Sequence, residues 1–161
     1  MVLDADGLNA LALDQLKDRT APIVLTPHPG EFSRLTGEPT PRGELRRMEA
    51  AQAFIQTLPG VLVLKGAGTI VADVHRLYIN RTGNPGMATG GTGDVLSGLI
   101  GALLGQGLEA FEAAALGVHV HGLAGDLAAQ RLGEPSLLAT DILDELPAAL
   151  RSRTESRTQG S

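Results

Sequence analysis

The four residues Val61-Leu62-Val63-Leu64 constrain this chain more than any other stretch, because they are apolar without alternation. A strand with one solvated face alternates apolar and polar side chains, whereas a strand of a parallel sheet is covered on both faces and reads as a continuous apolar run. Such a run needs helices on both sides of the sheet, and the sequence supplies them. Residues 44–58 carry helical periodicity through Leu45, Met48, Ala51 and Ile55, and residues 109–132 form an alanine-rich helical stretch. The alternation of strands and helices predicts an α/β fold, a mostly parallel sheet with helices on both faces.

The same reading places a strand at Met1 to Ala5, followed by a helix starting with Leu8, Leu11 and Leu13. A second strand covers Ala21 to Leu25 and stops at Thr26-Pro27-His28-Pro29-Gly30, where two prolines exclude regular structure. Glu31 to Leu35 is predicted as one helical turn. Ile70 to Asp73 and Arg76 to Asn80 are predicted to form a hairpin around Val74-His75. Asp94 opens a long apolar helix ending near Gly105, and Gly98, Gly101 and Gly105 are expected to let it approach the sheet closely. A last short helix begins at Ser136, with Ser136 or Thr140 as N-cap. Residues 1–150 thus make one domain, and the polar tail 151–161 is expected to be disordered.

At 161 residues with a formal charge of −5, the chain has no long-range attraction for nucleic acid or anionic membrane, so neither is expected as a partner. The longest apolar segment, Val95 to Leu104, is about half the length that spans a bilayer. The absence of cysteine excludes disulfides, thiolate metal sites and thiol nucleophiles. Acidic residues at Asp4 and Asp6 do not resemble a signal peptide, so a cytoplasmic location is the default.

Parallel sheets bind ligands at the C-terminal ends of their strands, and three loops at those ends carry unusual residues: 26–31, 65–69 and 83–94. They are expected to converge. The strongest signal is Gly90-Gly91-Thr92-Gly93-Asp94 running into Val95-Leu96-Ser97-Gly98. Glycines let successive amides turn toward one point at a helix start, where unpaired donors and the helix dipole favour a phosphate or a developing oxyanion. Gly91, Thr92 and Gly93 are therefore the candidate anion hole. Asp94 is either a first-turn acid that steadies the helix or a general base; a carboxylate beside an anion site is costly unless it serves as a base.

The string Asn84-Pro85-Gly86-Met87-Ala88-Thr89-Gly90-Gly91-Thr92-Gly93-Asp94-Val95-Leu96 resembles the signature of ADP- or ATP-dependent NAD(P)H-hydrate dehydratases, a branch of the ribokinase-like superfamily. Residues Thr26 to Glu31, Val63 to Thr69 and Asp4 to Asn9 resemble three further motifs of that family, in the same order. The resemblance implies a ribokinase-like fold that lacks the family's N-terminal strands, leaving an unpaired strand edge. It implies NAD(P)H-hydrate as substrate, ADP or ATP as co-substrate, Mg²⁺ as cofactor and a homo-oligomer. In that family the substrate hydroxyl is phosphorylated and phosphate is then eliminated. Asp94 matches the catalytic base and a substrate contact; Lys65, Gly66, Ala67, Gly68, Thr69 and Gly93 match nucleotide contacts; His28 matches a substrate contact.

Each position has a plainer reading. Lys65 is either the first solvated residue of its loop or a phosphate ligand, and His28 either a rigid turn residue or a hydrogen-bond donor to substrate. Glu31 either caps the short helix after Gly30 or stands near a phosphate-bound Mg²⁺. Asp4 and Asp6 are either solvated strand-end acids or part of the site, and Asn9 is a candidate for orienting substrate. His119 and His121, two apart on a helix, face different ways and make no metal pair. A small-molecule kinase of the same superfamily, or a non-catalytic nucleotide-binding fragment, are the alternative functions.

Overall fold

Strand β3 (Val61–Leu64) lies at the centre of a five-stranded sheet of order β1-β2-β3-β4-β5. The computed structural model describes residues 1–10, 21 and 23–158, with side chains described up to residue 152. Strands β1 (Val2–Leu3) and β2 (Val24–Leu25) run parallel to β3, with Val2 beside Val24 and Val24 beside Val61. Strands β4 (Ile70–Ala72) and β5 (Leu77–Ile79) add the expected hairpin, antiparallel to β3 and to each other. The continuation of the first helix through Leu11 and Leu13 lies outside the described residues.

All four β3 side chains are buried, two to each face. Leu62 and Leu64, with Leu25, Ile70 and Ala72, pack against α1 (Ala5–Asn9), α2 (Pro29–Thr36) and α3 (Glu44–Ile55) through Leu8, Phe32, Phe54 and Ile55. Val61 and Val63, with Val24 and Val71, pack against Leu96 and Ile100 of α4 (Thr92–Gly105) and Ala110, Ala114 and Val118 of α5 (Ala110–Leu132). Each such side chain contributes roughly 1.5–3 kcal/mol by leaving water, so a polar residue at any β3 position would be strongly destabilising.

Helix α6 (Ala139–Thr158) packs on α5 through Ile142 and Ala149 against Val120 and Ala124. It is long rather than short, and it carries helix through residue 158, into the segment expected to be a disordered tail. Its start is held by neither Ser136 nor Thr140. The Leu138 amide donates to Asp141 Oδ2 at 2.9 Å, so the carboxylate three residues on does the capping.

The close-packing glycines are also not where the periodicity put them. Gly98, Gly101 and Gly105 face open space, and the large residues Leu96, Ile100 and Leu103 turn α4 toward the core instead. Close approaches between helices and their neighbours do occur on α5: a Cβ at Gly117 would strike Ile100, one at Gly122 would strike Thr82, and one at Gly125 would strike Met87. Helical spacing defines a stripe of small residues but not the direction in which it points.

Candidate active site

Because β1, β2 and β3 are parallel, their C-terminal ends open on one edge, where α4 also begins. The three loops converge there around a cleft of about 830 Å³, lined by His28, residues 65–69 and 80–85, Thr92, Gly93, Leu96 and His121 among others. Gly91 adopts φ +87°, a left-handed conformation that costs glycine little, and this turns the chain into α4 with Thr92 as its first residue. The first-turn amides have no intrahelical acceptor and leave unpaired donors at this corner of the cleft.

Lys65, the residue that follows β3, brings a cation to the same corner. Its Nζ donates to Asp4 Oδ1 at 2.8 Å and lies 4.0 Å from Glu31 Oε2, with 19% of the side chain exposed. A Cβ at Gly93 would stand 3.3 Å from Lys65 Nζ and 3.5 Å from Asp4 Oδ2, so the missing side chain is what lets the ammonium lie against the start of α4. Burial pushes the Asp4 carboxyl up, but hydrogen bonds from Lys65 and Ser97 and the Lys65 charge outweigh it, holding the group below its ordinary value.

His28 caps α2. Its Nδ1 accepts from the Gly30 and Glu31 amides at 3.0 and 3.3 Å, while its own amide donates to Glu31 Oε2 at 2.7 Å. With Nδ1 as acceptor, a neutral ring carries its proton on Nε2, which lies 3.4 Å from Glu31 Oε1. The ring therefore caps a helix and stands in the cleft lining with half its side chain exposed, its Nε2 on the side of Glu31. Glu31 is buried and spends both oxygens near His28. Among the described residues no group of three His, Cys, Asp or Glu is placed to hold a metal ion, so these residues do not form a metal cage.

Asp94 stands in the first turn of α4, exposed and beside the cleft lining rather than in it. Asn9 is exposed at the end of α1, also outside the lining. Gly66, Ala67, Gly68 and Thr69 do line the cleft, and Arg47 of α3 fastens their loop. Arg47 Nη1 donates to Ala67 O at 2.6 Å and Nη2 to the Leu64 and Lys65 carbonyls at 3.3 Å.

The facing wall is stitched to α5. Asn80 Nδ2 donates to Val118 O and Thr82 O, both at 3.1 Å, and Thr82 Oγ1 to His119 O at 2.8 Å. Asp126 accepts from the Gly83 amide at 2.8 Å and Asn84 Nδ2 at 3.0 Å. His121 is buried in this wall, and its Nε2 has no hydrogen-bond partner. Burial lowers its pKa to about 4, against a pull upward from the Thr92 backbone and with a further push down from the Lys65 charge. Neither Arg47 nor Asp126 stands out in the sequence, and His121 is weighed there only as a metal partner of His119, since each acts through contacts more than fifteen residues away.

A mostly parallel sheet whose strand ends meet a glycine-turned helix start and a lysine defines an α/β protein with its cleft at the strand ends. The chain belongs to the NAD(P)H-hydrate dehydratase family, whose model matches residues 1–148. It is 50% identical over 157 residues to the bifunctional NAD(P)H-hydrate repair enzyme of Moorella thermoacetica, covering 96% of this chain and 30% of that enzyme. It superposes with TM-score 0.80 and 35% identity on the ADP/ATP-dependent NAD(P)H-hydrate dehydratase of Bacillus subtilis, co-crystallised with ATP and Mg²⁺ and soaked with CoA, over 94% of this chain and 55% of that one. A ribokinase-like superfamily protein from Enterococcus faecalis gives 0.78 and 32% identity, over 94% of this chain and 52% of its own. The chain thus spans about a third of the first relative and about half of the solved structures. The fold is ribokinase-like, as the motifs implied. Among the described residues no helix is long and apolar enough to cross a membrane.

Proposed function

We propose that this chain is the nucleotide-binding and catalytic portion of an enzyme that dehydrates hydrated NADH or NADPH with ADP or ATP. The observation that carries this reading is the meeting of the Lys65 ammonium with the first turn of α4 at Gly93, in the wall of a nucleotide-sized cleft. Two positive features converging on one point favour a phosphate chain.

In the proposed reaction the substrate hydroxyl oxygen bonds to the terminal phosphorus, and the bond to the departing nucleotide breaks. Asp94 takes the hydroxyl proton, while the Gly91 to Gly93 amides stabilise charge on the phosphoryl oxygens. Elimination then breaks the carbon–oxygen bond, with loss of a proton from the neighbouring ring carbon, releasing inorganic phosphate and restoring the reduced nicotinamide. Residues 65–69 hold the nucleotide, and His28 and Asn9 orient the substrate. Mg²⁺ belongs to this scheme as an ion carried by the nucleotide phosphates, since among the described residues no group of side chains is placed to cage one. A homo-oligomer is part of the same reading, and light scattering tests it.

Absorbance recovery at the reduced-nicotinamide band tests the reaction, with hydrated NADH, Mg²⁺ and ADP or ATP. Nucleotide-dependent recovery is expected, falling by roughly 10²–10⁴-fold in Asp94→Asn while nucleotide binding persists. A stable phosphorylated product would show a small-molecule kinase instead, and nucleotide binding without turnover, unchanged by Asp94→Asn, a non-catalytic fragment.

A further inference from the structure

We infer that Asp4 is the positioning residue that aims Lys65 at the nucleotide phosphates; this rests on the reading of the cleft as a nucleotide site. Asp4 follows β1 and is held by that strand's pairing, for the Thr26 amide and hydroxyl both donate to the Leu3 carbonyl, at 3.0 and 3.2 Å. Its Oδ1 accepts from Lys65 Nζ at 2.8 Å and from the Ala5 amide at 3.0 Å, and its Oδ2 from Ser97 Oγ at 2.7 Å. Capping the five-residue α1 uses only the Ala5 bond. The other two bonds reach across the fold to β3's loop and to α4, the two elements that make the anion site.

The carboxylate is a poor candidate for a base, because both oxygens are occupied by donors and the Lys65 ammonium stabilises the charged form. Its geometry suits another task. A lysine ammonium is a point charge on a flexible four-carbon stem and has three donors. Asp4 takes one of them, and Gly93 leaves the ammonium open to the first turn of α4. The competing carboxylate is Glu31, whose Oε2 is already 4.0 Å away on the α2 side. Without the Asp4 charge, Lys65 turns to Glu31 and away from the point where the α4 amides converge. Ser97 fixes Asp4 to α4 itself, so the cation and the helix start keep a constant spacing.

The test measures dissociation constants for ADP and adenosine, with Mg²⁺, on the full chain and on Asp4→Asn, Lys65→Met, Ser97→Ala and the Asp4→Asn/Lys65→Met pair. Asp4→Asn is expected to weaken ADP about tenfold, the usual scale of one charge-assisted hydrogen bond, with adenosine unchanged. In the Lys65→Met background Asp4→Asn adds nothing, since it acts through Lys65. Ser97→Ala, which keeps the Asp4 charge, weakens ADP by a smaller factor of about three. Parallel loss of adenosine and ADP, additive effects in the double variant, or unchanged ADP binding in Asp4→Asn overturns the positioning role. Failure of the unsubstituted chain to bind ADP overturns the nucleotide reading, and the role of Asp4 with it.

Discussion

The buried ring of His121 makes the stability of this chain depend on pH in a window where few other groups titrate. Its pKa is about 4 in the folded chain against 6.5 for the free side chain. Between those values the unfolded chain binds a proton that the native one refuses, so stability rises with pH across the window and is lost as pH falls. The full effect is about 3 kcal/mol, reached below pH 4, and about 2 kcal/mol is lost between roughly pH 7.5 and 5. With a urea m-value of about 2 kcal/mol/M, the midpoint falls by about 1 M over that interval. Asp4, Asp73 and Glu109 are all held below their ordinary values and add their losses at lower pH. Urea titrations of the native chain and of His121→Gln at both pH values isolate the ring, because everything else cancels in the difference. If both proteins lose the same stability between pH 7.5 and 5, the imidazole is not kept neutral by its surroundings and the reasoning is wrong.

Two substitutions on α5 separate backbone from side-chain crowding. Gly122→Ala drives a Cβ into the Thr82 main chain and is expected to cost about 1–3 kcal/mol despite better helix propensity, whereas Gly125→Ala presses first on the pliable Met87 side chain and should cost about 1 kcal/mol less; urea denaturation ranks them. Asp126→Ala strips the Gly83 amide and the Asn84 side chain of their acceptor, for an expected loss of about 1–3 kcal/mol, and amide exchange at Gly83 should speed up before global unfolding does.

What the sequence disclosed was whatever depends on neighbours along the chain. The unbroken apolar run at 61–64 announces a strand buried on both faces, and the glycines before Thr92 announce a helix start. Pro27 and Pro29 mark a loop correctly as far as His28, but Pro29 then occupies the first helical position, where it needs no amide donor, and α2 extends to Thr36. An imidazole as N-cap is not among the usual capping side chains, so only the two amides on Nδ1 reveal it. The strand expected to reach Ala5 stops at Leu3 because Asp4 begins a helix instead. The contacts that assemble the site join residues as far apart as Asp4 and Ser97, and helical or strand spacing says nothing about which distant faces will meet.

The grip of Arg47 on the loop after β3 has an electrical consequence. A planar trans peptide carries its carbonyl and amide in opposite directions, so drawing one oxygen toward the guanidinium turns the next nitrogen the other way. With the Lys65 and Ala67 oxygens both drawn to Arg47, the amides of Gly66 and Gly68 point away from it. Arg47 itself does not line the cleft. A residue outside the cleft lining thereby sets the polarity of part of the cleft surface: it collects the negative ends of these peptide dipoles at its own position and leaves their positive ends outward. Replacing that arginine would leave the composition of the cleft intact while freeing those peptide units to rotate.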